Sequence, residues 1–414
     1  MNQPNPRRRR SAAALVLGLA LLAACTGTSE PRPATLLIVG VETAGVPQLL
    51  LVEDVTATAP VGDPRVRVVP GSARTLQGPA VALDLEDRGV LRPAAWVLTR
   101  TVADAGGTPQ TTAHLQRFEV ADVDADAPTA FVEDAGARLL LTEPGGSGVL
   151  DGLSLTSPFT CPSALQVNRA GTMAVVLDDP RRCGSSDHAE LWLLATDGST
   201  ATALQGTNDV LGVSAYLDQR LDEELVYFLV DAINAAHVFV AEVDGSGSHR
   251  ITELSVPEPP ADLIDVAGAG DTLVVLADQD ILSLSLSEPA AAGRAATLQF
   301  ADALVTEPTG QVTELLVLDT GSTAMHTDPL DTTFDSSSFR AVAAVIDPVT
   351  RFAYGVSDGA LLIFDLLTGG ASGEPFRVHS EPLTELTLPV GVPATLPGAS
   401  GARVSVVTWV RAAP

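Results

Sequence analysis

The chain has 414 residues and a formal charge of −27, with 51 acidic residues against 24 basic ones, all of them arginine. A field of that sign repels nucleic acid and anionic lipid headgroups, and the lack of lysine removes Schiff-base chemistry and lysine-based phosphate cradles. With 46% hydrophobic and 18% charged residues there is apolar material for a large core, which excludes disorder for the bulk of the chain.

The first ten residues carry four arginines and no acid, and residues 11–24 are an unbroken run of apolar or small residues. A positive segment followed by an apolar run too short to span a bilayer is the pattern of a cleaved export signal, here residues 1–24. The arginines are not followed by residues that extend a twin-arginine motif, so they read as a plain positive segment. The run ends Leu22-Ala23-Ala24-Cys25, which resembles the lipobox of bacterial lipoproteins. That resemblance implies cleavage before Cys25 and lipid on its sulfur, with residues 25–34 as a polar tether. Each buried acyl CH₂ contributes about 0.8 kcal/mol, so two or three chains hold a protein at a membrane where one does not. No later segment offers eighteen uninterrupted apolar residues, so this lipid is the expected sole anchor. The expected location is extracytoplasmic, on a periplasmic face or the cell surface.

Residues 35–414 are expected to form one body. Short apolar runs, at 35–42, 47–54, 137–143, 172–179, 190–198, 224–231, 237–245, 271–278, 281–288, 314–321, 360–369 and 403–411, are separated by Gly, Pro, Asp and Ser clusters. Their length and Val, Leu and Thr content suit strands, and no helical period is sustained, so the body reads as all-β. Two runs end in the turns Asp197-Gly198 and Asp244-Gly245, 47 residues apart, and two others end at Asp319 and Asp365, 46 apart. Repeats of that length holding four short strands are the mark of propeller blades, and the chain length suits seven, with eight as the alternative. The first and last runs are both good strands, and pairing them would remove two open sheet edges.

Three segments carry a family resemblance. His237 to Leu254 (HVFVAEVDGSGSHRITEL) resembles the repeat of TolB-like propellers, in which a strand ends in an Asp-Gly turn and the next begins with a basic residue. Ala189 to Leu204 is similar to it, and Arg351 to Gly369 (RFAYGVSDGALLIFDLLTG) is closer to YVTN-type propeller repeats. Residues 35–160 match poorly, with irregular hairpins around Gly106-Gly107 and Gly145-Gly146. The resemblance implies a single β-propeller.

Few residues offer chemistry. Once Cys25 is lipidated, Cys161 and Cys183 remain, and in an oxidising compartment they are expected to form a disulfide. Asp122, Asp124, Asp126 and Glu133 fall at positions 1, 3, 5 and 12 of a calcium-loop template. Ala127, however, stands where that loop needs glycine and Pro128 follows, so an acidic solvated loop is the competing reading. Gly355 to Gly359 matches the G-x-S-x-G form of a nucleophile elbow, but the next segment reads as a strand where the elbow requires a helix. The histidines (His114, His188, His237, His249, His326, His379) are dispersed, which argues against zinc or haem. Trp96, Trp192 and Trp409 lie inside apolar runs and read as core. The expectation is therefore a membrane-anchored, non-catalytic propeller that binds another envelope protein or an extracellular ligand, touches the membrane only through Cys25, and binds no nucleic acid. A propeller hydrolase or lactonase and a purely structural envelope protein are the alternatives.

Overall fold

Each of those apolar runs folds as a β-strand, and successive strands pair antiparallel into separate small sheets. The computed structural model describes strands and some connections between Thr35 and Ala412. Residues 1–34, 55–65, 86–93, 124–137, 143–152, 205–209, 215–222, 255–262, 286–291, 307–314, 327–334, 338–342, 366–377, 382–402 and 413–414, with several shorter connections, lie outside the described residues.

The first sheet holds β1 (Thr35–Thr43), β2 (Val46–Asp54), β3 (Val66–Val68) and β4 (Arg74–Thr75). The second holds β5 (Ala80–Leu85), β6 (Ala94–Asp104), β7 (Pro109–Val123), β8 (Arg138–Thr142) and β9 (Leu153–Leu155). The third is β10 (Pro162–Val167), β11 (Met173–Asp178), β12 (Glu190–Ala195) and β13 (Ala201–Ala203). The fourth is β14 (Val210–Ser214), β15 (Glu223–Ala232), β16 (Ala235–Asp244) and β17 (His249–Leu254). The fifth is β18 (Leu263–Ala269), β19 (Thr272–Ala277), β20 (Asp280–Ser285) and β21 (Ala292–Thr297). The sixth is β22 (Ala301–Thr306), β23 (Leu315–Asp319), β24 (Thr323–His326) and β25 (Asp335–Ser337). The seventh is β26 (Ala343–Asp347), β27 (Phe352–Ser357), β28 (Ala360–Asp365) and β29 (Val378–Glu381).

The last strand, β30 (Arg403–Ala412), returns to the first sheet and pairs antiparallel with β1 from Thr35↔Ala412 to Glu42↔Arg403. It thereby becomes that sheet's leading strand. Leading strands meet one another: β30 touches β5 and β26, β5 touches β10, β14 touches β18, β18 touches β22, and β22 touches β26. Consecutive four-stranded meanders whose leading strands converge, closed by the chain's last strand, make a β-propeller. In five sheets the leading strand slips register at its second residue, at Ala80/Ala82, Pro162/Ala164, Val210/Gly212, Leu263/Asp265 and Ala301/Ala303. A bulge bends and twists its strand, and its recurrence at one place marks the repeat better than any side chain.

Packing explains the sequence pattern. On β1, Leu36 and Ile38 join a core cluster with Ala95, Val97 and Phe118 of the second sheet. The intervening Leu37, Val39 and Val41 join another with Phe352, Tyr354 and Val356 of the seventh. Because both faces of β1 are covered, the strand is continuously apolar rather than alternating, and each leucine so buried contributes roughly 1.5–3 kcal/mol.

Two sequence readings resolve differently. Asp197 follows the third strand of the third sheet and Asp244 ends the third strand of the fourth, so their spacing is a true repeat. Asp319 ends a second strand and Asp365 a third, so their near-equal spacing is coincidence. The irregular N-terminal region also acquires a cause: its outer strands are split, with β3 and β4 both pairing β2, and β8 and β9 both pairing β7.

Candidate binding face

A four-stranded antiparallel meander places its connections alternately on two faces. The start of each leading strand shares the upper face with the second-to-third connection, while the remaining turns lie below. In the third sheet Thr196, after β12, donates its Oγ1 to the Gly171 carbonyl at 2.7 Å, joining the two lower turns. On the upper face stand Cys161, just before β10, and Cys183, in the connection from β11 to β12. This shared face brings the two cysteines together, and they form a disulfide with Cα atoms 6.0 Å apart.

The bridged connection is organised locally. Asp179 caps a 3-10 turn, Pro180–Cys183, by accepting from the Arg181 backbone N–H, and proline at the first position costs no hydrogen bond there. Gly184 ends the turn at φ +88°; a Cβ there would meet open space, so backbone conformation and not room selects glycine. Arg181 Nε donates to Asp179 Oδ1 at 2.8 Å and Arg182 Nε to Oδ2 at 3.4 Å. Beneath, Asp178 accepts from the backbone N–H groups of Thr160 (2.8 Å) and Cys161 (2.5 Å). Burial pushes the Asp178 carboxyl above its usual range, against the pull of those two donors.

The second sheet reaches over to this loop. Arg100, on β6, donates through Nη1 to Cys161 Sγ at 3.1 Å and to the Pro162 carbonyl at 3.0 Å. Its pKa is lowered by burial first and by Arg182 next, against the pull of Asp179 and Asp178. Past Arg100 the β6–β7 hairpin overhangs: β5 pairs β6 only as far as Ala80↔Thr99, and Thr101, Val102 and Ala103 are exposed. Among the described residues the exposed large hydrophobics are Val46 (40%) and Val102 (48%). Both sit on second-to-third connections of the upper face, at the tips of β1–β2 and β6–β7.

A second polar cluster is buried where the ring closes. Tyr354 donates to Asp54 Oδ2 at 2.7 Å, and Thr35 Oγ1 donates to Asp347 Oδ2 at 2.5 Å, linking the first sheet to the seventh. Burial, and then the Asp54 carboxylate, holds the Tyr354 hydroxyl well above its ordinary pKa, so it stays a proton donor. Between the second and third sheets, Asp84 Oδ2 likewise accepts from the Val167 N–H at 2.7 Å. These carboxylates join sheets and do not open on a solvent face. Sequence reasoning missed them; the signal was an aspartate at or near the end of an apolar run, as at Asp54, Asp84 and Asp347.

The other candidate residues stay apart. Asp122 lies within β7, its backbone opposite Leu139, while Asp124, Asp126 and Glu133 lie outside the described residues, as do Cys25 and the whole export signal. Ser357 ends β27 and pairs with Ala360, the first residue of β28, so the serine of the G-x-S-x-G segment is followed by a strand and not by the helix an elbow needs. His114, His237, His249, His326 and His379 are spread over strands of four sheets and His188 lies in the bridged connection. Among the described residues no group of three His, Cys, Asp or Glu side chains could hold a metal ion. Trp96 is buried under the Arg117 guanidinium, 5.9 Å from the ring centre. Trp192 packs against Phe159 at 5.4 Å, its buried indole N–H without a hydrogen-bond partner, and the Trp409 backbone pairs with Leu37.

Comparison with known proteins adds resemblance at low identity. The chain is similar to apo AztD from Citrobacter koseri (19% identity, TM-score 0.44), over 86% of this chain and 83% of that one. It is also similar to a chain of a nidogen/laminin complex (12% identity, TM-score 0.36), over 71% of this chain and 89% of that one. No curated protein matches the sequence. No protein-family model matches it either.

Proposed function

We propose that this chain is a membrane-anchored extracytoplasmic lipoprotein, with residues 1–24 removed as a signal, Cys25 lipidated, residues 25–34 as tether, and the seven sheets as the seven blades of a binding propeller. It recognises another envelope protein or an extracellular ligand through its upper face and catalyses no reaction. The observation that carries this reading is the construction of that face, where the exposed Val102 stands on the same strand, two residues past the Arg100 that pins the disulfide-bridged loop of the next sheet. Exposed apolar side chains on a pre-organised surface favour recognition, because little conformational freedom remains to be lost on binding. The disulfide also supports an oxidising compartment, hence export.

The test is a photo-crosslinking residue placed at Val102 in the full chain in its native envelope, with Ser199, exposed on the lower turn after β12, as the control. A reproducible adduct from Val102 and none from Ser199 is expected. Equal labelling from both positions would place recognition elsewhere. Turnover of an ester or lactone by the purified protein would replace the reading with the enzymatic one. Mass spectrometry of the mature terminus decides the anchor: a diacylated Cys25 is expected, and an unmodified terminus at another residue would end that part.

A further inference from the structure

We propose that the bridge is a directional thiol-exchange site, in which Cys183 is the sulfur attacked by an external dithiol and Cys161 is the sulfur that leaves. Access, attack geometry and local charge all point in that direction. Cys161 is fully buried, whereas Cys183 sits partly exposed on the turn of the bridged connection. Displacement at sulfur is in line, so an attack on Cys183 arrives from the solvent side, while an attack on Cys161 would have to come through the protein. The Arg100 Nη1 donor rests 3.1 Å from Cys161 Sγ and would stabilise negative charge developing there. The exposed Arg181 and Arg182 next to Cys183, although paired to Asp179, add local positive charge where an incoming thiolate approaches.

The step balances. A thiolate of the dithiol forms a new S–S bond to Cys183 Sγ; the Cys161–Cys183 bond breaks and its electron pair leaves on Cys161, beside the Arg100 N–H. The second thiol of the reagent, after losing its proton to water, attacks the reagent's own sulfur in the mixed disulfide. Cys183 leaves as thiolate and takes a proton from water. The dithiol ends oxidised to a disulfide and the two cysteines end reduced. Opposing charge is close by, since Asp178 lies beside Cys161, but two backbone N–H groups already occupy its carboxylate. The structural consequence is specific: reduction frees the Cys183 end of the connection from the start of β10, while Asp179 keeps its backbone N–H on the Cys161 carbonyl at 3.0 Å and Arg100 keeps its bond to the Pro162 carbonyl.

The experiment uses the full chain in detergent with reduced glutathione at early time points, with acid quenching to trap the mixed disulfide before a second glutathione or the freed protein thiolate resolves it, and peptide mapping. Glutathione is expected on Cys183 in at least about tenfold excess over Cys161, because leaving-group stability and access both favour that direction. Arg100→Met should slow exchange by about three- to tenfold, and Arg100→Lys should retain most of the rate by keeping a cation. Should Arg100→Met fail to fold, the wild-type adduct still decides. Equal labelling, labelling of Cys161, or exchange no faster than global unfolding would overturn the proposal.

Discussion

Single residues in this protein act mainly as ties between sheets, and their removal is felt where a partner is left buried. Tyr354→Phe deletes the donor to Asp54 without changing shape, leaving a carboxylate short of one hydrogen bond in a buried junction. The expected loss is about 1–3 kcal/mol in denaturant unfolding, with no change in secondary structure. Asp178 makes a pH prediction. Its folded-state pKa is raised by burial, so between the ordinary aspartate value and the raised one the folded protein holds more protons than the unfolded chain. Stability contributed through this group is therefore greatest below that window and falls as pH rises through it. Asp178→Asn should remove that slope from a stability-against-pH curve, which equilibrium unfolding at a series of pH values checks. None of these ties is legible in the sequence, because an aspartate after an apolar run reads equally well as a turn residue. Asp197 and Asp54 look alike in sequence, yet Asp197 is exposed and holds the Ser199 N–H, while Asp54 is buried.

At the scale of elements the bridged connection and the overhanging hairpin make opposite contributions. The disulfide closes a loop across a sequence separation of 22, and replacing both cysteines by alanine should cost about 3 kcal/mol, read as a lower denaturant midpoint. The tip of β6–β7 extends past its sheet and buries little, so Val102→Ser should change stability by less than about 0.5 kcal/mol while abolishing the adduct from a photo-reactive residue placed at the exposed Thr101 beside it. Separating stability from binding in this way marks a recognition element. The disulfide was legible from the cysteine count, because with Cys25 set apart by its lipobox-like context two thiols remain to pair. The hairpin was not, since β6 and β7 carry Arg100, Thr101, Thr111 and Thr112 within one ladder and show no long apolar run.

For the whole molecule, ring closure is the decisive contact. Ending the chain before Arg403 removes β30, uncovers the edge of β1 and separates the leading strands of the second and seventh sheets. Loss of the cooperative transition and self-association on size-exclusion chromatography are the expected results, since an open apolar edge pairs with other chains. What the sequence by itself determined is most of the middle strands, β6 and β7 apart. Strands such as β1, β2 and β11 are covered by neighbouring sheets or by their own partners on both sides, so they must be continuously apolar and they announce themselves. The leading strands other than β30, namely AVALDL, PSALQV, VLGVS, LIDVAGA, ADALVT and AAVID, carry small residues, Gly and Asp. The outer strands, such as ATA, DSS and VHSE, lie at sheet edges and are short and polar. Neither kind has an apolar period to read, and only the tertiary structure places them. The same reason hides the junction ties: Tyr354 and Asp54 meet across a separation of 300 residues, and their partnership exists only once the ring has closed.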